Sequence, residues 1–362
     1  NNMINDFPKW YKNLDDNNLE IDNLEVNAYT RPKIIAEIGI NHGGSLDLAK
    51  KLAELAASNG ADIIKTQIHR PNDEMSKEAK KVIPSHTKES IFKIIEDCSL
   101  SVDEEIELAE FIRSLGKPFL STPFSLEAVD FLEKLNISAF KIGSGECNHI
   151  PMIEKIAKVG KPVILSTGMN NISSIKKSYK ILKENGINVV LMHTTNIYPT
   201  PPHLVRLEAI RDIMISCGTK NVGLSDHTTS NISAIGGFAL GATIVERHFT
   251  DDKSRIGADI SSSMTPAELK ELVKASDELY KLRWGDKQNL IPEEDSARAF
   301  AFATAVASKD IQIGDCFSSE NITWKRPGIG YYKPMQRDDL FNKKAKVSIK
   351  LGNHIKLTDT FS

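Results

Sequence analysis

The chain has 362 residues, 40% of them hydrophobic, with 46 Lys and Arg against 48 Asp and Glu and a net charge of −2. That balance excludes a basic nucleic-acid or polyanion surface, so local groups must hold any anion. No apolar run approaches the ~20 residues of a membrane span, and Cys98, Cys147, Cys217 and Cys316 lack CxxC spacing, so free thiols in a reducing cytoplasm are expected.

Residues 1–30 are rich in Asn and Asp and lack the apolar core of a signal peptide; with Trp10 and Tyr11 they predict a polar arm laid on a surface. From Ile34 a regular alternation begins. Strand-like runs fall at 34–38, 62–67, 118–122, 139–142, 162–166, 189–193, 222–225 and 242–246, each followed by helical apolar spacing such as 46–57 and 172–182. Eight strand–helix units in about 250 residues predict a (β/α)8 TIM barrel over 31–287. A doubly wound sheet would want a GxGxxG turn, which is missing. The polar stretch 68–90, with Pro71 and Pro84, is a long insertion on the face where barrels keep their chemistry. Residues 288–297 read as a polar linker. Short β-like pieces at 304–307, 321–324 and 345–349 then predict a small, mostly-β domain over 298–362.

Barrel chemistry gathers at the C-terminal ends of the strands. Those ends carry Glu37, Lys65, Gln67, Lys141, Ser144, Glu146, Ser166, Asn196, Tyr198, Ser225, His227, Glu246 and His248. Glu37 sits in the apolar run IIAEIGI, where a buried carboxylate needs a partner such as a nearby Lys or a use for its charge. His227 and His248, at the ends of adjacent strands, suit a divalent first-row metal that polarises a carbonyl, with Asp226 and Glu246 as supporting groups. Lys141 with Ser144, Ser166, Asn196 and Ser225 can hold a compact dianion such as a phosphate. A desolvated Lys65 or Lys141 could instead form a Schiff base. His42, His69 and His193 are weaker candidates, and His86, His149, His203 and His354 are read as having no catalytic role.

The pieces IIAEIGINHGG, KTQ, STPFS, KIGSGECN, ILSTGMN, MHTTNIYPTP, GLSDHT and ERHFTDD, then VASKDIQIGD and WKRPG, run in order from about residue 32 to 361. They closely resemble bacterial sialic acid synthases. The resemblance implies a TIM barrel followed by an antifreeze-like SAF domain. It implies condensation of phosphoenolpyruvate with N-acetylmannosamine to N-acetylneuraminate and phosphate, assisted by Mn2+, with Mg2+ or Co2+ as alternatives. By motif, His227 and His248 correspond to the metal ligands, Glu37 faces the metal-bound water and the sugar, and Gln67 lies beside the sugar. Lys141, Ser144, Ser166, Asn196 and Ser225 match phosphoenolpyruvate-binding positions, with Lys65 and Glu146 near the reacting carbons. Tyr198 and Asp259 resemble sugar contacts. Arg326 of KRPG corresponds to an arginine inserted into the partner's site, which implies a domain-exchanged homodimer. GADISSSM departs from the GPDIVCSM-like form of close relatives. Synthases of legionaminic and pseudaminic acids share most of these motifs, though GSGECN and KRPGIG lean toward the N-acetylneuraminate branch. The implied setting is cytoplasmic sugar-acid synthesis for a capsule or lipooligosaccharide, without nucleic-acid or membrane partners.

Overall fold

Short runs of Ile, Val and Leu, each closed by a turn, become parallel strands in the computed structural model, which describes residues 7–361. Two short strands come first, β1 (Leu19–Ile21) and β2 (Leu24–Val26). The barrel strands are β3 (Lys33–Gly39), β4 (Ile63–Ile68), β5 (Phe119–Pro123) and β6 (Phe140–Ile142). They continue with β7 (Val163–Ser166), β8 (Val189–Thr194), β9 (Val222–Asp226) and β10 (Ile244–His248). Their order is β5-β4-β3-β10-β9-β8-β7-β6, so the first and last barrel strands pair, as a closing TIM-barrel-like sheet requires. β10 ends two residues later than its apolar run predicts, which places His248 on the strand itself.

The outer helices bury one stripe against this sheet. In Leu46–Ser58 the buried positions are Ala49, Leu52, Ala53 and Ala56, spaced for one helical face, and Ser45 caps the first turn by accepting from Leu48 N at 3.2 Å. The 68–90 insertion carries a helix at Pro71–Glu74 and a 3-10 turn at Lys77–Lys81.

Inside the barrel, Ile35, Ile63, Leu120, Ala139, Ile164, Val190, Met192 and Ile244 form a separate apolar cluster. Leu19, Ile21 and Val26 belong to it. This corrects the expectation of a polar arm: residues 19–26 form an antiparallel hairpin whose alternate side chains enter the core. The hairpin turns at Asp22, φ +53°, a conformation that Asp tolerates better than most residues.

The described residues form two compact units, with the boundary between Gly285 and Asp286. The second unit pairs β11 (Thr304–Ala307) with β12 (Ile322–Lys325) around a core that includes Ile311, Phe317, Tyr332, Leu340 and Ile349. Its third expected strand, 345–349, survives only as isolated bridges of Ala345 to Thr360 and Ile349 to Ile311. The expected linker is partly helical, since Pro292–Glu294 and Asp295–Ala301 form a 3-10 turn and a short helix.

Candidate active site

Strand alternation and register build the site. On β10, Glu246 and His248 face the barrel mouth, while Arg247 between them is fully buried on the other side, donating to Asn231 Oδ1 at 2.7 Å and Thr228 O at 2.9 Å. His248 pairs in register with Glu37, and Glu37 with Lys65. An open cavity of about 640 Å³ lies over this row.

Two lysines form its floor. Lys65 Nζ lies 2.9 Å from Glu37 Oε2 and 3.6 Å from Glu246 Oε1, and it donates to Thr122 Oγ1 at 2.8 Å. The Lys65–Glu37 contact is an ion pair out of hydrogen-bond alignment, which leaves Glu37 Oε2 without a hydrogen bond. Lys141 Nζ lies 3.8 Å from Glu246 Oε2 and donates to Ser166 Oγ at 2.8 Å. Beside it, Ser144 Oγ accepts from Gly168 N at 2.9 Å, and Asn196 Oδ1 is buried without a partner. A buried floor of two lysines and several hydroxyls suits a compact dianion.

Burial and neighbouring charge set the protonation states. Burial raises the Glu37 carboxyl above its ordinary range, with Lys65 opposing and Glu246 adding to the rise. Burial works against Glu246 too, but Lys141 and Lys65 outweigh it and hold that carboxyl low. Lys141 is lowered by burial, whereas Glu246 and Glu37 overcome burial at Lys65 and raise it. Glu146 is pushed up by burial to about 7.

His227 is lowered to about 4 by burial and then by His248, so its imidazole is neutral at pH 7. Its Nδ1 lies 3.0 Å from Thr195 O, a contact that needs the proton on Nδ1 and leaves the Nε2 lone pair free. The two imidazole rings stand 5.5 Å apart, and His248 Nδ1 is buried without a hydrogen bond, 3.6 Å from Asp259 Oδ2. A neutral imidazole and a second one whose Nδ1 makes no hydrogen bond, close to the Glu37 and Glu246 carboxylates, fit a divalent cation. Among the described residues no group of three or more His, Cys, Asp or Glu is assembled for one, so the protein's share would be the two imidazoles.

A family model described as NeuB family matches residues 52–288. The N,N'-diacetyllegionaminic acid synthase of Campylobacter jejuni subsp. jejuni serotype O:2 is 39% identical, over 82% of this chain and 91% of that one. Human N-acetylneuraminate-9-phosphate synthase is 32% identical over 87% and 89%. The chain belongs to the NeuB family. Among solved structures, the sialic acid synthetase of Leptospira borgpetersenii serovar Hardjo-bovis, in complex with citrate, superposes with a TM-score of 0.71. It is 26% identical and covers 77% of this chain and 94% of its own.

Of the expected site residues in this NeuB-family chain, Glu37, Lys65, Gln67, Lys141, Ser144 and Glu146 all line the cavity. So do Ser166, Asn196, Tyr198, Ser225, His227 and His248, with the Tyr198 ring 4.1 Å from that of His227. Asp259 is buried beside His248 rather than lining the cavity. Arg326 is exposed just beyond β12, in the second unit. His42 and His193 serve the backbone: His42 Nδ1 accepts from Gly44 N at 3.0 Å, and His193 Nε2 bonds Val205 O at 2.6 Å. His86, expected to be uninvolved, stacks on Tyr198 at 5.3 Å. Glu246 was read only as a supporting group; it stands between both lysines, and the two-residue step from His248 was the signal for it. Among the described residues no helix is long and apolar enough to cross a membrane.

Proposed function

We propose that this chain condenses phosphoenolpyruvate with N-acetylmannosamine to give N-acetylneuraminate and phosphate. The observation that carries this reading is one cavity with a lysine and hydroxyl floor beside the Glu37 carboxyl and two imidazoles. Lys141, Ser166 and Ser144 hold the phosphate end of the enol. Its C3 bonds to C1 of the open-chain aldehyde as the carbonyl π pair moves onto the oxygen, which takes up a proton to become a hydroxyl, and C2 gains cationic character. Glu37 takes the proton of the water that adds to C2, and the tetrahedral intermediate expels phosphate by C–O cleavage. The lysines and hydroxyls stabilise the departing dianion. Lys65, held protonated between two carboxylates, is a poor Schiff-base amine.

His227 and His248 would hold a divalent cation, manganese by resemblance, and such an ion supplies Lewis acidity toward the aldehyde oxygen. Arg326 is assigned to the partner's site in a domain-exchanged dimer of barrel and SAF-type units. If so, mixing and refolding Glu37→Ala with Arg326→Ala subunits returns roughly a quarter of wild-type activity, whereas a cis arrangement returns none.

A second reading rests on the 39% identity to a diacetyllegionaminic acid synthase against 32% to the N-acetylneuraminate-9-phosphate enzyme: a sugar bearing two acetamido groups. One experiment tests both, namely phosphate release from phosphoenolpyruvate with a panel of mono- and diacetamido hexoses, before and after chelation and manganese addition. Fastest turnover with N-acetylmannosamine, lost on chelation and restored by manganese, is expected. Preference for a diacetamido sugar selects the second reading. No release with any sugar overturns both, and full activity after exhaustive chelation removes the metal.

A further inference from the structure

Glu37 is held by an amide that could point either way. Gln67 Nε2 lies 2.6 Å from Glu37 Oε1. Turned over, the amide would set its carbonyl oxygen against a carboxylate oxygen, two acceptors face to face. The other end of Gln67 reaches His69. Gln67 Oε1 lies 2.7 Å from His69 Nε2, and His69 Nδ1 lies 2.8 Å from Glu74 Oε1. Since Glu37 accepts, Gln67 must present N–H to it and its carbonyl to His69, so His69 Nε2 donates. The last contact then holds a proton on His69 Nδ1 or on Glu74.

The chain of contacts is anchored throughout. The His69 ring is stacked on Phe124 at 4.3 Å and 11°, and it is buried. Glu74 Oε2 accepts from Arg70 N at 3.0 Å, and Arg70 forks onto Glu105 at 2.9 and 2.7 Å. His69, Arg70 and Glu74 do not line the cavity. They stand at the start of the 68–90 insertion, whose first helix ends on Glu74.

We propose that His69 and Glu74 are positioning residues, which set the Gln67 amide and through it the rotamer of Glu37. Glu37 Oε1 is then held by the amide and Oε2 by the Lys65 ammonium 2.9 Å away, which fixes how the carboxylate is presented to the cavity; its use as the base rests on the function proposed above.

His69→Phe keeps the ring stack and removes both nitrogens. It is expected to lower kcat about 10²-fold, the size of loss from a misplaced catalytic group, with KM for phosphoenolpyruvate unchanged. Because His69 acts through Gln67, the Gln67→Ala/His69→Phe double variant should be no slower than Gln67→Ala alone. Independent, multiplying losses or an unchanged kcat overturn the proposal. If His69→Phe does not fold, Glu74→Leu, which can neither donate to nor accept from His69 Nδ1, takes its place in the same cycle, with the same two outcomes. A crystal structure of the folded variant decides the matter apart from activity: Gln67 should leave Glu37, and an unmoved Gln67 overturns the inference. A wild type that releases no phosphate sinks the functional reading alone, and the crystal structure still decides this one.

Discussion

Gly168 has no room for a side chain, since a Cβ there would lie 1.9 Å from Asn196 Oδ1 and 2.8 Å from Ser144 Oγ. Gly168→Ala should therefore empty the floor of its anion while leaving the barrel folded. Phosphoenolpyruvate affinity of the folded variant measured by calorimetry is expected to fall at least tenfold, about 1.4 kcal/mol. Unaltered affinity would show that the anion sits elsewhere. Glu146 gives a pH signature. Its carboxyl titrates near 4.5 when unfolded and near 7 in the fold, because burial favours the protonated form. The folded chain binds the extra proton between those values, so this contribution is complete below 4.5 and is lost as pH rises through 7, about 3 kcal/mol in all. Urea unfolding of Glu146→Gln should lack that decline, and parallel curves for the two proteins would refute it. At this scale the sequence revealed residue types at strand ends, because position in a barrel strand decides what reaches the mouth. It did not reveal that Gln67 turns its amide toward Glu37, because that depends on His69 and Glu74 closing from a loop whose path is not periodic.

The alternation of β10 against β9 has an element-scale cost. Arg247, the residue that lets Glu246 and His248 share one face, is fully buried with its Nε 3.2 Å from Asp226 Oδ2, and Asp226 also accepts from Thr228 Oγ1 at 2.8 Å. Arg247→Leu leaves a buried carboxylate uncompensated, and roughly 3–5 kcal/mol of stability should be lost. Asp226→Leu/Arg247→Leu should recover part of it, and a single variant within about 1 kcal/mol of wild type in urea unfolding would contradict this account. Strand existence was legible from Ile- and Val-rich runs, yet two elements were misjudged for physical reasons. L-E-I-D-N-L-E-V at 19–26 carries period-two alternation around a two-residue turn, but its surroundings are so polar that the whole stretch reads as solvated. Residues 345–349 have strand composition, but they make only isolated bridges, because pairing depends on where neighbouring segments lie.

At the scale of the whole molecule, the chain is two units with separate cores, and the residues between them are polar and exposed, Leu290 at 75%. Limited proteolysis should cut first within 285–291 and leave both fragments resistant, since neither core spans the cut; first cleavage inside the 68–90 insertion would place the weakest segment elsewhere. The hairpin of β1 and β2 has a further consequence. Its Leu19, Ile21 and Val26 pack among the inner residues Ile35, Ile63 and Ile164, so among the described residues the barrel is plugged behind the lysine floor and the approach is through the open mouth. Traffic through one doorway is a queue. The molecule seated on the lysine floor must enter first, and the sugar that follows blocks its exit until bonds have changed. Steady-state kinetics should then be ordered, with phosphoenolpyruvate leading, and a dead-end sugar analogue should be uncompetitive against it. Mixed inhibition would mean that the two arrive in either order.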